Sequence, residues 1–338
     1  MTRSVLVTGG CGMTGRALVD MLLARGERVR SLDLERHPDA RVTSIVGDVR
    51  DPAAAARACL GVQTVHHTVA VVSQHPAKAS LIEDVNVGGT RVMLAAARAA
   101  GVERFVFTSS IDVVFSGAAI AAGDESLPYA ARFLDDYGRS KADAERLVLA
   151  ANGNGMATIA LRAAGIFGPG DRHRLPILLR VVRRQGYLPL GPGSARFSHV
   201  YVDNVAHAHV LAGEQLGPTH PAAGKAYFVT DHAPENFFHF VEGYLRALGF
   251  ARPRVHVPFW FAWSLGASME AVYRVLGRWF REDPVMTRYT AAAVCRNFWF
   301  VHDAARRDLG YRPIVSAEEA FARTLTWLRA AHPGRTSE

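Results

Sequence analysis

The sequence predicts an α/β protein with a doubly wound parallel sheet and a smaller C-terminal part that binds substrate. Apolar, β-branched runs alternate with helical segments through the first half of the chain, which is the order that places parallel strands between helices. These runs lack polar alternation, as expected for strands that are buried on both faces. The chain has 338 residues, 49% hydrophobic and 21% charged, which supplies a large core and excludes general disorder.

The elements can be placed in order from the spacing of their apolar residues. Predicted strands cover 4–8, 29–33, 42–46, 65–69, 105–108 and 157–161, and predicted helices cover 14–25, 52–59, 80–100 and 137–151. Near residue 165, Gly, Pro and Arg become frequent and the elements shorten. We therefore predict a first part at 1–165 and a smaller mixed α/β part at 166–332, with a helix near 202–216 packing back on the first part.

A glycine-rich turn follows the first strand. Gly9, Gly12 and Gly15 are three residues apart between a strand and a helix, with Met13 inside the same turn. Glycine permits the tight turn and lets backbone N–H groups approach a pyrophosphate at the helix N-terminus. In this context the spacing predicts a dinucleotide site formed by these four residues. A glycine turn without a ligand is the alternative.

Two carboxylates after later strands bear on which dinucleotide binds. Asp33 ends the second strand, 18 residues after Gly15, where its carboxylate can accept hydrogen bonds from ribose hydroxyls and repel a 2′-phosphate. Asp33 therefore favours NAD, and the nearby Arg36 leaves NADP as the alternative. Asp48 and Val49 are predicted to contact the adenine, although a capping role for Asp48 fits its position equally well. The net charge of +8 also favours an anionic ligand.

A phenol and an amine share one face of a predicted helix. Tyr137 and Lys141 are four residues apart, so their side chains point the same way. The ordinary pKa of tyrosine is about 10, and a fixed ammonium together with a positive nicotinamide ring would lower it toward that of a working base. Ser110 closes a strand at the sheet edge where ligands bind and is predicted to hold the substrate oxygen, with Ser109 as the alternative.

These residues belong to a set of motifs that carry a family resemblance. The chain resembles the extended short-chain dehydrogenases, which have a Rossmann fold. Within them it resembles the branch of 3β-hydroxysteroid dehydrogenases and sterol-4α-carboxylate 3-dehydrogenases (decarboxylating). The resemblance covers nearly the whole chain. It rests on Thr8–Gly15, Asn86–Thr90, Phe107–Ser110, Asp124–Tyr129, Tyr137–Lys141, Leu161–Gly170, Val200–Val205, Gly224–Phe228 and Asp308–Pro313.

The resemblance implies roles for individual residues. Ser110, Tyr137 and Lys141 would form a catalytic triad, in which Lys141 also holds the nicotinamide ribose. The backbone of His67, Thr68 and Val69 would line the cofactor, and Ala164, Gly165 and Ile166 would border the nicotinamide amide. The family's homodimer would form through the helices at 80–100 and 137–151. Met13 and Ala163 depart from the family's usual Phe and Pro, and neither change removes a reacting group.

The segment 258–280 favours an apolar substrate such as a sterol or steroid. Residues 258–269 carry no charge, and aromatic residues then alternate with Glu270 and three arginines. This segment is too short and too charged to span a bilayer, but it can lie at a membrane interface with its aromatic residues inserted. A helix that covers the substrate pocket is an equally good and compatible interpretation.

Basic residues cluster near the start of the predicted second part. They are Arg172, His173, Arg174, Arg183 and Arg184. If the substrate carries a carboxylate beside its hydroxyl, one of these residues could hold it. A solvated basic face is the alternative.

Three functions are compatible with these motifs. The first is NAD(P)-dependent oxidation of the 3β-hydroxyl of a sterol or steroid to a ketone, followed by decarboxylation if a 4α-carboxylate is present. The second is that of a nucleotide-sugar epimerase or dehydratase, which the apolar segment 258–269 disfavours. The third is non-catalytic dinucleotide sensing, which the intact Ser110, Tyr137 and Lys141 disfavour.

Other ligands and compartments are disfavoured. The histidines lack the acidic or cysteine partners of a metal site, so we predict no metal, and no nucleic-acid motif is recognisable. Cys11, Cys59 and Cys295 are odd in number and far apart, which favours a reducing compartment. The first apolar run is broken by Gly9 and does not resemble a signal peptide. We predict a cytoplasmic protein that contacts the membrane peripherally.

Overall fold

The computed structural model describes residues 3–172, 174–186, 189–191, 193–250 and 256–331, without the side chains of Arg184 and Gln185. Of the basic residues named above, His173 and the side chain of Arg184 therefore lie outside the described part of the chain.

Eleven strands are found in the described residues. In chain order they are β1 Ser4–Thr8, β2 Arg28–Asp33, β3 Thr43–Val46, β4 Thr64–His67, β5 Arg104–Ser110, β6 Ile120–Gly123, β7 Ala157–Ala163, β8 Gly165–Phe167, β9 His199–Tyr201, β10 Lys225–Val229 and β11 Phe298–Phe300. Seven of them form one parallel sheet in the order β10-β7-β5-β4-β1-β2-β3, while β11 pairs with β6 and β8 pairs with β9.

Twelve α-helices accompany these strands in the same residues. They are α1 Met13–Ala24, α2 Pro52–Cys59, α3 Ala79–Glu83, α4 Thr90–Ala99, α5 Asp136–Ala150, α6 Leu175–Gln185, α7 Val202–Gln215, α8 Phe237–Ala247, α9 Phe259–Leu276, α10 Arg288–Cys295, α11 Asp303–Leu309 and α12 Ala317–Ala331.

The sheet confirms the predicted doubly wound α/β fold. The strand order reverses between β1 and β4, and in such sheets the ligand crevice opens beyond the carboxyl ends of the strands at that point. Residues of α1 and α7 pack on one face of the sheet, and residues of α2, α4 and α5 pack on the other. The fold therefore brings the glycine turn after β1 and the ends of β4 and β5 to one edge.

The chain beyond residue 165 contributes to the first part as well. Strand β10 extends the main sheet beside β7, and Val210 of α7 packs with Leu18 and Leu22 of α1. Helices α6, α8, α9, α10 and α12 contribute to a separate apolar cluster. The division at residue 165 stays a prediction, because the main sheet combines six strands that precede this residue with one strand, β10, that follows it.

The predicted helix 80–100 is wrong as a continuous α-helix. A π-helical segment, Asp84–Gly89, separates α3 from α4. The Asn86 side chain accepts a hydrogen bond from the Val71 backbone N–H at 2.8 Å and donates to the Val71 carbonyl at 3.1 Å. The spacing of apolar residues predicts a helix, but it gives no sign that the Asn86 side chain bonds to a loop elsewhere in the chain and interrupts the α-helix there.

Two further boundaries differ from the prediction. Strand β4 ends at His67 rather than at residue 69, because Thr68 turns its hydroxyl to the Thr8 carbonyl at 2.8 Å. The apolar segment 258–280 forms α9 followed by a 3₁₀ turn, Gly277–Trp279, and is not a single helix. No helix within the described ranges has the length and apolar character needed to cross a membrane.

Candidate active site

The glycine turn between β1 and α1 has the shape of a phosphate-binding loop. Gly9 has φ +71°, which favours glycine, and a Cβ on Gly15 would lie 2.0 Å from the Gly9 carbonyl oxygen. Gly12 precedes α1 and offers no side chain to the N–H groups of the first helical turn, which also holds no acidic residue. The positive end of α1 is thus left for an anion, and these residues fit a dinucleotide pyrophosphate.

A cleft of about 690 Å³ lies on the α1 side of the loop. Its walls include Cys11 and Met13 of the loop, Asp20 of α1 and Arg323 of α12, and the three loop glycines are not among them. Met13 is half-buried at the start of α1, as expected for a residue that contacts both the protein and a bound molecule.

The two carboxylates expected near the adenosine differ in their surroundings. Asp33 lies at the end of β2, where one carboxylate oxygen accepts the Cys11 backbone N–H at 2.9 Å. Asp48 accepts both the backbone N–H of Arg50 at 2.8 Å and its guanidinium at 2.6 Å, and this pairing lowers the pKa of Asp48. Asp48 therefore stabilises a local turn, and the cap of α2 is Asp51, which accepts the Ala53 N–H at 2.9 Å, so the capping role considered for Asp48 is wrong. Val49 beside Asp48 is buried.

The end of β4 faces the glycine turn. The backbone of Val69 lies close to Gly9, since a Cβ on Gly9 would approach the Val69 Cα to 3.0 Å. The His67 ring is fully buried, with its Nδ1 at 2.7 Å from the Thr8 hydroxyl and its Nε2 at 3.0 Å from the Thr90 hydroxyl. Burial lowers the pKa of His67 to about 3, so this ring is neutral and only the backbone is available to a ligand.

Ser110 and Tyr137 meet at the carboxyl end of β5. Ser110 is buried and donates to an Asp112 carboxylate oxygen at 2.8 Å, and Tyr137 is half-buried in the first turn of α5. Burial raises the pKa of Tyr137 well above its usual value, the charge of Asp112 raises it further, and a hydrogen bond with Ser110 lowers it. The Ser110 hydroxyl and the Tyr137 phenol therefore interact at the end of β5.

Lys141 occupies a different position from the one that would tune Tyr137 directly. Its ammonium donates to the Thr108 carbonyl at 2.6 Å and lies 4.7 Å from the centre of the Phe107 ring. Burial lowers the pKa of Lys141 to about 7, and the nearby Glu145 raises it in part. Burial has the largest effect on the pKa of Tyr137, and the charges of Asp112 and Asp135 act in the same direction.

Ser109 is not available to a substrate. Its hydroxyl donates to the buried carboxylate of Glu145, which also accepts the Tyr129 hydroxyl at 2.9 Å and the Arg162 guanidinium at 2.7 Å. Because side chains alternate along a strand, Ser109 and Ser110 point to opposite faces of β5. Ser110 is thus the serine that faces the site.

Three further acidic and phenolic groups complete the site, and the sequence reasoning missed them. Asp112 accepts a second hydrogen bond, from the Tyr289 hydroxyl at 2.7 Å. Asp135 caps α5 through the Gly138 N–H at 2.8 Å, and burial, with the charge of Asp112, raises the pKa of Asp135 to about 7. Asp112 stands two residues after Ser110, which is a detectable local signal. Tyr289 has no such signal, because it is 177 residues from Asp112.

The strand β8 forms the wall expected beside the nicotinamide. The Ala164 N–H donates to the Val229 carbonyl at 3.0 Å, and the Gly165 N–H donates to the Ser198 carbonyl at 3.2 Å. Ile166 is half-buried in β8. Of the basic residues considered from the sequence, Arg174 lies against this wall, whereas Arg172 and Arg183 are exposed.

A family profile matches the chain over residues 6–259, that of the 3-beta hydroxysteroid dehydrogenase/isomerase family. The chain belongs to the 3-beta hydroxysteroid dehydrogenase/isomerase family. Membership confirms the family resemblance and, with it, the predicted enzyme class, an NAD(P)-dependent oxidoreductase of the short-chain dehydrogenase type.

Three relatives of this family member have names that describe their chemistry. A 3 beta-hydroxysteroid dehydrogenase/Delta 5-->4-isomerase of Mycobacterium tuberculosis is 38% identical over 96% of the chain and 90% of the relative. A 2-alkyl-3-oxoalkanoate reductase of Stenotrophomonas maltophilia is 37% identical over 94% and 97%. A sterol-4-alpha-carboxylate 3-dehydrogenase, decarboxylating, of Mus musculus is 34% identical over 94% and 89%.

A solved structure supports the same fold. The dTDP-glucose 4,6-dehydratase DesIV from Streptomyces venezuelae, with NAD and TYD bound, superimposes with a TM-score of 0.75. It is 25% identical in sequence, and the match covers 98% of both chains. This chain and a sugar-nucleotide enzyme therefore share one fold. Whether a steroid or a nucleotide sugar is the substrate must be decided from the residues of the site, not from the fold.

Proposed function

We propose that this protein oxidises the 3β-hydroxyl of a sterol or steroid to a ketone, with NAD as the preferred hydride acceptor. The observation that carries the proposal is that Ser110 and Tyr137 come together at the end of β5, with Lys141 held at the Thr108 carbonyl of the same strand, at the sheet edge that also holds the glycine turn. Asp33 supports NAD over NADP, because a carboxylate at the end of β2 repels a 2′-phosphate.

The site residues divide the work of the reaction. Ser110 holds the substrate oxygen, and Tyr137 as the phenolate takes the proton from the alcohol. We expect Lys141, which donates to the Thr108 carbonyl, to hold the nicotinamide ribose and to keep positive charge near the site. When bound, NAD supplies the C4 atom that accepts the hydride and a positive ring charge that favours the phenolate.

A finer form of the proposal is that the substrate carries a carboxylate on the carbon next to the reacting one. Two of the relatives, the sterol-4-alpha-carboxylate dehydrogenase and the 2-alkyl-3-oxoalkanoate reductase, are named for such compounds. Oxidation then gives a β-keto acid. Its bond to the carboxylate carbon breaks, carbon dioxide leaves, and the electron pair forms an enolate that takes a proton from the Tyr137 phenol.

The alternative reaction is that of a nucleotide-sugar epimerase or dehydratase, supported by the likeness to DesIV. Family membership favours the steroid reaction, and so do the aromatic side chains beside the site, such as Phe197 and Phe237. Non-catalytic dinucleotide sensing is less well supported, because Ser110, Tyr137 and Lys141 are intact and Ser110 interacts with Tyr137.

A substrate panel tests the proposal. The purified protein is given NAD with 3β-hydroxysteroids, with and without a 4α-carboxyl group, and with uridine and thymidine diphosphate sugars. Reduced cofactor is followed by absorbance, and carbon dioxide release is measured in parallel. We expect steroid oxidation that Tyr137→Phe reduces at least about 1,000-fold while NAD binding is retained. Turnover of a nucleotide sugar without steroid oxidation would overturn the proposal.

We also propose that α9 contacts a membrane surface. Its buried residues, Ala262, Gly266 and Glu270, recur every four positions and form the side that packs on α10. Its other side exposes Trp260 by 68% and Val275 by 76%, and the following turn exposes Trp279 by 61%. Arg274, Arg278 and Arg281 lie among these residues. Exposed aromatic residues with interspersed arginines fit the headgroup region of an anionic bilayer.

A further inference from the structure

Arg174 is a half-buried cation whose guanidinium lies among aromatic rings at the site. It immediately precedes α6, and its guanidinium carbon lies 5.2 Å from the centre of the Phe197 ring and 5.6 Å from that of Phe237. A Cβ on Gly165 would lie 2.1 Å from the Arg174 Nη1, so the guanidinium occupies the space over this glycine. Gly165 lies between Ala164 and Ile166, so the cation lies against the wall proposed to border the nicotinamide.

One N–H group of the Arg174 guanidinium lacks a hydrogen-bond acceptor in the described part of the chain. Its Nη1 is buried and has no hydrogen-bond partner among the described residues. The nearest acidic groups are already engaged. The two oxygens of Asp112 accept from Ser110 and Tyr289, and the two oxygens of Asp171 accept the backbone N–H groups of Arg174 and Leu175. A buried charge left in this state costs stability, and such costs are typical of ligand sites.

The charge of Arg174 also acts on the reacting groups. Burial raises the pKa of Asp112, and the hydrogen bonds from Tyr289 and Ser110 and the charge of Arg174 lower it in part. The guanidinium therefore lies within electrostatic reach of the carboxylate that accepts the Ser110 hydroxyl. A neutral steroid would leave the buried Nη1 without an acceptor, whereas a substrate anion would supply one.

We propose that Arg174 recognises a carboxylate carried by the substrate on the carbon next to the reacting carbinol. This inference rests on the proposed dehydrogenase function and deepens it. A guanidinium presents two parallel N–H donors to a carboxylate, and the aromatic rings around it hold the fork in place and exclude water. Arg174 is thus a specificity residue that distinguishes β-hydroxy acids from plain alcohols on the same apolar framework.

Matched substrates and matched variants test the assignment. The substrates are a 3β-hydroxysterol-4α-carboxylate and its methyl ester, which differ only in the charge and bulk of the acid group. The variants are Arg174→Met and Arg174→Lys, with Arg172→Met as the control because Arg172 is a nearby but exposed arginine. We expect Arg174→Met to lower kcat/KM for the acid about 100-fold and for the ester less than about threefold. Arg174→Lys should be intermediate, and the control should match the wild type.

The outcomes separate this assignment from a structural role and from the proposed function. Equal losses for acid and ester in Arg174→Met would overturn it, because Arg174 would then act only by balancing Asp112. A weaker affinity for NAD in that variant would overturn it too. If neither substrate is oxidised, the affinities of the NAD-saturated protein for the acid and for the ester are measured by calorimetry instead. If the wild type prefers the acid and Arg174→Met does not, the subsite stands although the proposed reaction fails. Equal binding of acid and ester by the wild type overturns the subsite, and the proposed oxidation is then judged by the substrate panel alone.

Discussion

Asp33 combines a structural contact with a proposed role in cofactor choice. One of its carboxylate oxygens accepts the Cys11 N–H and so fixes the glycine turn to the end of β2. The same charge would repel a 2′-phosphate at this position. A substitution that keeps the acceptor and removes the charge can therefore separate the two roles.

We predict that Asp33→Asn relaxes the preference for NAD. The amide oxygen can still accept the Cys11 N–H, so the turn should keep its shape, while the repulsion of a 2′-phosphate is lost. The ratio of kcat/KM with NAD to that with NADP should fall about tenfold, equivalent to about 1.4 kcal/mol. Steady-state kinetics with both cofactors measure this ratio. An unchanged ratio would assign cofactor choice to other residues, with the exposed Arg36 as the first to test.

Asp135 provides a pH-dependent test of how acidic neighbours act on Tyr137. The pKa of Asp135 is raised to about 7, so the folded protein holds its proton between about pH 4 and 7, where the unfolded chain does not. The stability that this proton contributes is fully present below about pH 4, falls between about pH 4 and 7, and is lost above about pH 7. We predict that Asp135→Asn raises the Tm relative to the wild type, and by more at pH 8.5 than at pH 5.5.

The same variant should change the activity profile. The charge of Asp135 raises the pKa of Tyr137, so its removal should move the acid limb of kcat/KM for alcohol oxidation to lower pH. Asn can still accept the Gly138 N–H that Asp135 accepts, so α5 keeps its cap. Asp136→Asn is the matched control, because Asp136 is adjacent but pairs with Arg139 at the surface. An acid limb that stays in place would show that Asp135 does not act on the reacting phenol.

At the scale of elements, a buried ion pair joins α5 to β7. Glu145 and Arg162 are both buried, and their shortest contact is 2.7 Å. Glu145 also holds Ser109 of β5, so one carboxylate connects the helix that carries Tyr137 to the strand that carries Ser110. The relative placement of the catalytic residues depends on this connection.

We predict that Glu145→Gln destabilises the fold by about 3–5 kcal/mol, because Arg162 is left as an uncompensated buried charge. Urea unfolding of the NAD-free protein measures this difference. The control is Glu103→Gln, which removes an exposed pair with Arg104 and should change stability by less than about 1 kcal/mol. Comparable effects of the two substitutions would contradict the structural role given to the buried pair.

The elements also show what can and cannot be predicted from this sequence. Strands β1 to β5 and the glycine turn follow from local patterns, because parallel strands and phosphate loops are specified over a few residues. The π-helical segment Asp84–Gly89 was missed, since Asn86 binds a loop 15 residues earlier. The contact between Tyr289 and Asp112 was missed for the same reason. It is formed when distant elements pack together, and the local spacing of residues in the sequence does not indicate it.

At the scale of the whole molecule, the exposed apolar side of α9 and the turn after it form the surface that we propose binds a membrane. We predict that the protein binds anionic vesicles and that replacing Trp260 and Trp279 by Ser reduces this binding at least about tenfold. Sedimentation with phosphatidylserine-containing vesicles measures the bound fraction. Leu60→Ser is the control, because Leu60 is 71% exposed but belongs to the loop after α2. Equal binding by the wild type and the double variant would contradict the proposal.

The predicted homodimer through the helices at 80–100 and 137–151 stays a prediction. The outer side of α5 carries ion pairs within the chain, Arg139 with Asp136 and Arg146 with Asp143. A dimer that uses this side would have to form around these pairs or exchange them for pairs between subunits. Light scattering across a range of salt concentrations would establish the state of association.

The alternation of Ser109 and Ser110 has a consequence for how such enzymes can diverge. A slip of β5 by a single position against its neighbours would turn Ser109 toward the solvent crevice and bury Ser110 beneath the sheet. The chain could remain compact after this slip and still lose its chemistry. Insertions and deletions should therefore be tolerated far less in the turns leading into this central strand than in those of the outer strand β3, even where neither turn touches a ligand.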